Sequence, residues 1–325
     1  MALRFDPEFQ AAMSAQPPRP RSSPPQTVFD IRTGTNTALT TYFATLPVPP
    51  TITETRLSIP GPSGDPLLLI RHTPASAAAA PSPQPAVVYV HGGGMVSGSA
   101  DLVGPEVAML ADEAGISFFA VGYRLAPEHP APAGVEDAYA AVQYISSHAA
   151  ELGIDASRIA LLGISGGGAV AAGAALLARD RGLSPPLAKL VLVYPMLDDR
   201  TVVPPESPLY DFLSWGAVNN RLAWEAVLGA DKAGKADADV SPYAAPGRAT
   251  DLAGLPRTYI DCGSLDLFAQ ENIAFAGKLA AANVEVELHI WPGLPHGFEG
   301  MSEIHWTKTA QASRRRAIRS LLDAE

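Results

Sequence analysis

Three kinds of residue stand just beyond apolar runs in this chain, and together they could move an acyl group. Ser165 sits in Gly163-Ile164-Ser165-Gly166-Gly167, which fits G-x-S-x-G, a sharp turn from a strand into a helix. In that turn the serine is strained, and the residues two before and two after it must be small; Gly163 and Gly167 meet the requirement. Asp266 follows the run RTYIDCG and His296 follows VEVELHIW, each in a loop beyond an apparent strand. A serine hydroxyl is a poor nucleophile until a base takes its proton, and that base needs a buried carboxylate to orient it. Ser165, Asp266 and His296 occur in the chain order expected for this geometry. His91-Gly92-Gly93-Gly94 directly follows AVVYV. Glycines there let backbone N–H groups turn toward a cavity and receive a developing oxyanion.

Other readings of the same residues fit less well. Gly166 to Ala171 matches a loose dinucleotide fingerprint, but the next strand, AKLVLVYP, ends in Tyr-Pro, and Asp198 comes too late for a ribose. Gly93 to Gly98 has the spacing of a phosphate loop, yet Ser99 stands where the lysine is required. Asp261 falls within its strand, as do His72 and His289, while His129, His148 and His305 lie in or beside helical stretches. His91 reads as a structural residue that ties down the glycine loop. No His/Cys/Asp/Glu cluster has metal-ligand spacing.

The elements that must position these groups are short apolar strands alternating with helical stretches. The strands are expected at 86–90, 116–123, 158–163, 188–195, 257–263 and 284–291, preceded by a hairpin of ETRLSIPG and PLLLIRHT, and the last helix at about 304–323. Near-continuous Val/Ile/Leu strands with crossover helices predict an α/β fold with a mostly parallel sheet covered on both faces. Its chemistry gathers beyond the C-terminal strand ends. The rhythm breaks at about 197–256, where 200–230 reads as an insertion folded over the edge of the sheet. Residues 1–50, rich in Pro, Ser and Thr with scattered aromatics, read as an arm or short helices packed on something else.

The 325 residues carry 23 Lys+Arg against 33 Asp+Glu, a net charge of −10, which argues against nucleic acid and anionic membranes as partners. Arg314, Arg315, Arg316 and Arg319 read as a solvated helix face. The single cysteine, Cys262, permits no intrachain disulfide and reads as a buried, inert thiol. The N-terminus lacks the pattern of a secretory signal, and the longest apolar stretch is half a membrane span. A cytoplasmic protein acting on a small molecule is expected, with a homodimer left open.

The sequence resembles the hormone-sensitive-lipase-like family of α/β-hydrolase esterases. The resemblance is carried by HGGG (91–94), YRLAPEHPAPAGVEDAYAA (123–141), the serine turn, YPMLDDR (194–200), SPYAAP (241–246), GLPRTYIDCGSLDLFAQE (254–271) and PGLPHGF (292–298). It implies an α/β-hydrolase catalytic domain over 51–325 and a mainly helical cap formed by 1–50 with the insertion at about 197–235. It also implies hydrolysis of short-chain acyl esters without metal or cofactor. Ser165 would be the nucleophile, His296 the base and acid, and Asp266 the orienter, with an oxyanion hole from the N–H groups of Gly92, Gly93 and Gly166. Some relatives on this fold are non-catalytic receptors that lack the histidine, and others cleave amides, lactones or carbamates. Three motifs depart from the family pattern: in the serine turn Ile164 and Gly166 replace an acid and an alanine, after HGGG Met95 replaces an aromatic, and Asp266-Leu267-Phe268 replaces D-P-L.

Overall fold

The computed structural model describes residues 3–16, 24–80 and 83–323. Eight strands form one sheet in the order β1-β2-β4-β3-β5-β6-β7-β8. They are β1 (Ile52–Pro60), β2 (Pro66–Pro74), β3 (Gln84–Val90), β4 (Ser117–Val121), β5 (Ile154–Ile164), β6 (Lys189–Val193), β7 (Arg257–Gly263) and β8 (Val286–Trp291). The expected hairpin is β1–β2, which joins the sheet antiparallel to β4, and every other pairing is parallel. The helices are α1 (Pro7–Ser14), α2 (Val28–Phe43), α3 (Ala75–Ala78), α4 (Gly104–Ala114), α5 (Ala133–Ser147), α6 (Ala149–Leu152), α7 (Gly166–Asp180), α8 (Ala217–Leu228), α9 (Ala269–Ala281) and α10 (His305–Arg319).

The apolar strands are continuous rather than alternating because both faces of the sheet are covered. Along β3, Val88 and Val90 pack with α5 and α7, whereas Val87 and Tyr89 point to the opposite side, against α4 and α10. Along β5, Leu161 joins the first layer, and Ala160 and Leu162 join the second. Each such side chain, fully removed from water, contributes about 1.5–3 kcal/mol. This two-sided cover is what fixes the strand ends in place.

The segment between β6 and β7 holds a one-turn 3₁₀ helix, Tyr210–Phe212, and then α8, consistent with the expected insertion. The arm at 1–50 contributes two helices, α1 and α2, joined to the rest by non-helical segments where described. Asp6 caps α1 by accepting from the N–H groups of Glu8 and Phe9, and Thr27 with Asp30 forms a capping box on α2. The arm and the insertion meet: α2 packs on α8, and the rings of Phe5 and Phe212 lie 4.9 Å apart, edge to face. Among the described residues no helix is long and apolar enough to cross a membrane.

The reading of the C-terminal arginines needs correction. Arg314 does not face solvent; it is buried, with Nε and Nη2 donating to Asp261 at 2.6 and 3.0 Å and Nη1 donating to Glu299. Sequence charge runs say nothing about which member of the run a helix turns inward. Asp261 and Cys262 are buried in β7 as expected, and burial pushes the Cys262 thiol well up.

Candidate active site

Ser165 is the turn between β5 and α7, with φ 54° and ψ −121°. A non-glycine residue held there costs of order 1–3 kcal/mol, so the surroundings must impose it. They do so through the backbone: the Ser165 N–H donates to Val193 O at 2.9 Å, and its carbonyl accepts from Gly168 at 2.8 Å and Met196 at 3.0 Å. The flanking glycines allow the close approach. A Cβ on Gly163 would lie 2.4 Å from Gly167 O, and one on Gly167 would lie 2.3 Å from the carbonyls of both Val90 and His91. Ser165 also stands at the N-terminus of α7, whose partial positive charge favours negative charge developing on its oxygen.

The three candidates from three loops meet here. Ser165 Oγ is 2.8 Å from His296 Nε2, and His296 Nδ1 is 2.7 Å from Asp266 Oδ2. Asp266 is buried, and its other oxygen accepts from the Phe268 N–H at 2.9 Å. That bond uses the residue where the family pattern departs from D-P-L. The Phe268 ring also meets the His296 ring edge to face at 5.2 Å, and Tyr194 does the same at 4.5 Å. Ser165 is a hydroxyl within reach of a base, and that base is within reach of a fixed carboxylate.

The glycine loop lies against this turn. A Cβ on Gly92 would come 3.4 Å from Ser165 Cβ, and one on Gly166 would come 2.6 Å from the backbone nitrogen of Gly94. An alanine at 166 therefore has no room unless the loop withdraws, which accounts physically for that departure from the family pattern. Gly92 is thus brought against Ser165 and Gly94 against Gly166, with Gly93 between them in the loop. His91 is buried and stacks on Tyr123 at 4.3 Å; Tyr123 Oη donates to the His91 carbonyl at 2.9 Å. Burial lowers the His91 imidazole to about 4, so it is neutral at pH 7 and ties the loop down, as its position suggested.

Several contributors escaped sequence reasoning. Arg32 of α2 donates to the carbonyls of Val96 at 2.6 Å and Ala126 at 2.8 Å, and Asn36, one turn on, accepts from the Gly98 N–H at 2.8 Å. Both clamp the segment just after the glycines. From the insertion, Trp215 lies over Gly94, whose Cβ would meet its ring at 2.7 Å, and Ser214 Oγ donates to the His296 carbonyl at 2.6 Å. Tyr194 has φ 33°, another strained residue at the site. The i, i+4 spacing of Arg32 and Asn36 is the one sequence signal that could have drawn attention to them; nothing marked Ser214.

Comparison with known proteins places the chain among esterases. A model described as the alpha/beta hydrolase fold matches residues 87–300. Esterase LipI of Mycobacterium tuberculosis is 36% identical, the match covering 82% of this chain and 82% of its own. Carboxylesterase NlhH of the same organism is 41% identical over 66% of each chain. Among solved structures, a bacterial heroin esterase superposes with a TM-score of 0.87 and 37% identity over 99% of both chains. This chain belongs to the hormone-sensitive-lipase-like family of α/β-hydrolase-fold esterases.

Proposed function

We propose that this esterase works through a serine acyl-enzyme built on Ser165, His296 and Asp266. Ser165 Oγ attacks the ester carbonyl carbon while His296 Nε2 takes the hydroxyl proton. Asp266 holds the imidazole by its Nδ1–H and stabilises the imidazolium. The tetrahedral oxyanion faces the N–H groups of Gly92, Gly93 and Gly166, each such donor being worth about 10²–10³ in rate. Collapse expels the alcohol, which receives its proton from His296. Water, activated by the same imidazole, then cleaves the acyl–Ser165 bond and regenerates the hydroxyl.

The observation that carries this reading is the unbroken Oγ–Nε2 and Nδ1–Oδ2 pair of hydrogen bonds at three strand ends. The substrate class proposed is a short-chain acyl ester. Residues 1–50 and the insertion at about 197–235 are proposed to act as a cap, a reading supported by Trp215 and Ser214 reaching Gly94 and the His296 carbonyl. Action in the cytoplasm belongs to the same proposal.

A fluorophosphonate probe with peptide mapping, beside a p-nitrophenyl ester chain-length series, tests it. The probe is expected to add once, on Ser165, and Ser165→Ala to lower kcat by about 10⁴–10⁶-fold. An adduct elsewhere, or a Ser165→Ala protein that keeps its rate, overturns the assignment.

A further inference from the structure

Behind the strand end that carries Ser165 lies a chamber of about 1340 Å³, open to solvent on one side and lined by α2, α4, α10 and the loop after the 3₁₀ turn Phe298–Gly300. Ser165 and His296 do not line it. Its apolar wall includes Ile164 and Val193 from the sheet, Met109 of α4 and Ile318 of α10. Its polar end is formed by Tyr42, Glu106, Glu299 and Arg314.

The charge at that end is one-sided. Arg314 spends Nε and Nη2 on Asp261 and Nη1 on Glu299, so it presents no free fork to an anion. One guanidinium therefore answers three carboxyl groups: Asp261, Glu299 and Glu106. The pairs at the rim, Arg315 with Glu113 and Lys308 with Glu303, cancel one another. Among the described residues no ion pair reaches Glu106, which is only half-buried; its Oε2 accepts from the Tyr89 hydroxyl. A carboxylate drawn partly out of water without a paired cation is unfavourable, and a positive ligand with an apolar body would relieve that cost while covering the wall.

We propose that this chamber is a binding site for a small organic cation, an alkyl- or aralkylammonium of single charge, with its apolar body on Ile164 and Val193 and its nitrogen toward Glu106 and Glu299. The site does not rest on the reading of Ser165 as nucleophile. Five groups face Glu106: Tyr89 from β3, Tyr42 from α2, Tyr194 just after β6, Glu299 from the 3₁₀ turn and Arg314 from α10. Burial raises the Glu106 carboxyl to about 7, against the lowering effect of Tyr89 and Arg314. Burial and the nearby carboxylates hold the Tyr42 phenol neutral, up at about 12. A cation prefers the ionised carboxylate, so affinity rises with pH through about 7.

Calorimetric titration of the full chain with benzyltrimethylammonium tests the site, because the charge of this probe is permanent and any pH dependence comes from the protein. Saturable one-to-one binding is expected, about tenfold tighter at pH 8 than at pH 6, since a carboxyl titrating near 7 goes from about a tenth to about nine-tenths ionised. Neutral benzyl alcohol is expected to bind at least about tenfold more weakly at pH 8. Glu106→Gln should flatten the pH dependence, and Met109→Trp, which crowds the apolar wall, should weaken binding at both pH values with the near-UV dichroism of the fold retained. No saturable binding to the wild-type chain, equal affinity for benzyl alcohol, an unchanged pH dependence in Glu106→Gln, or unchanged binding in folded Met109→Trp would each overturn the proposal.

Discussion

The two sides of the strand end at 164–165 are built on opposite principles. On the Ser165 side backbone presses on backbone, glycines clear the space, and one hydroxyl, one imidazole and one carboxylate stand in line. On the Ile164 side the packing opens into a chamber, where two carboxylates hold a single guanidinium and Glu106 lines the same wall. One side lines up polar groups on a single hydroxyl; the other gathers charge. Adjacent residues can therefore belong to environments with little in common, because the strand ends at Ile164 and the chain turns sharply at Ser165.

The contrast can be broken at graded cost. Asp266→Asn keeps the shape but leaves His296 in the wrong tautomer, and kcat is expected to fall about 10⁴-fold with the thermal midpoint little changed. A loss below about tenfold would remove Asp266 from its role. On the other side, Arg314→Met strands Asp261 and Glu299 without their cation, and denaturant unfolding should show a loss of about 3–5 kcal/mol. A variant as stable as the parent would mean those carboxyls are already protonated. The smallest effect expected is at Glu106. Its carboxyl pKa is raised from 4.5 to about 7 in the folded state, so the folded protein holds this proton more tightly than the unfolded chain does. The stability that proton contributes is fully present below pH 4.5 and is lost as pH rises through about 7. By linkage the difference reaches about 3 kcal/mol. Glu106→Gln should accordingly raise the midpoint relative to wild type at pH 8 and not at pH 4; equal shifts at both would refute the buried titration.

The Ser165 side was far more legible in the sequence than the Ile164 side. Glycines at 163 and 167, HGGG after β3, and an Asp and a His after the last two strands each have a local reason that spacing reveals. The sheet was legible for a similar reason, since strands buried on both faces are written as continuous apolar runs. Boundaries moved by a few residues: the strand expected at 116–123 is Ser117–Val121, and the one at 158–163 begins at Ile154. Arg314, Glu106 and Glu299 were not legible because their meaning is relational. They lie on different elements, far apart in the chain, and only the packing of α10 over β6 and β7 and against α4 brings them together. Ser214 and Arg32 were hidden in the same way, each acting through a distant backbone carbonyl.

The hold that Arg32 and Asn36 keep on the segment after the glycines bears on how such proteins can be recombined. A graft that moves residues 91–98 into a related scaffold carries the sequence of the loop but not its fastening, which sits some sixty residues upstream. Exchange between homologues should therefore succeed when residues 28–43 travel with the loop and lose activity when either travels alone. The two segments behave as one heritable module despite being separated by a hairpin.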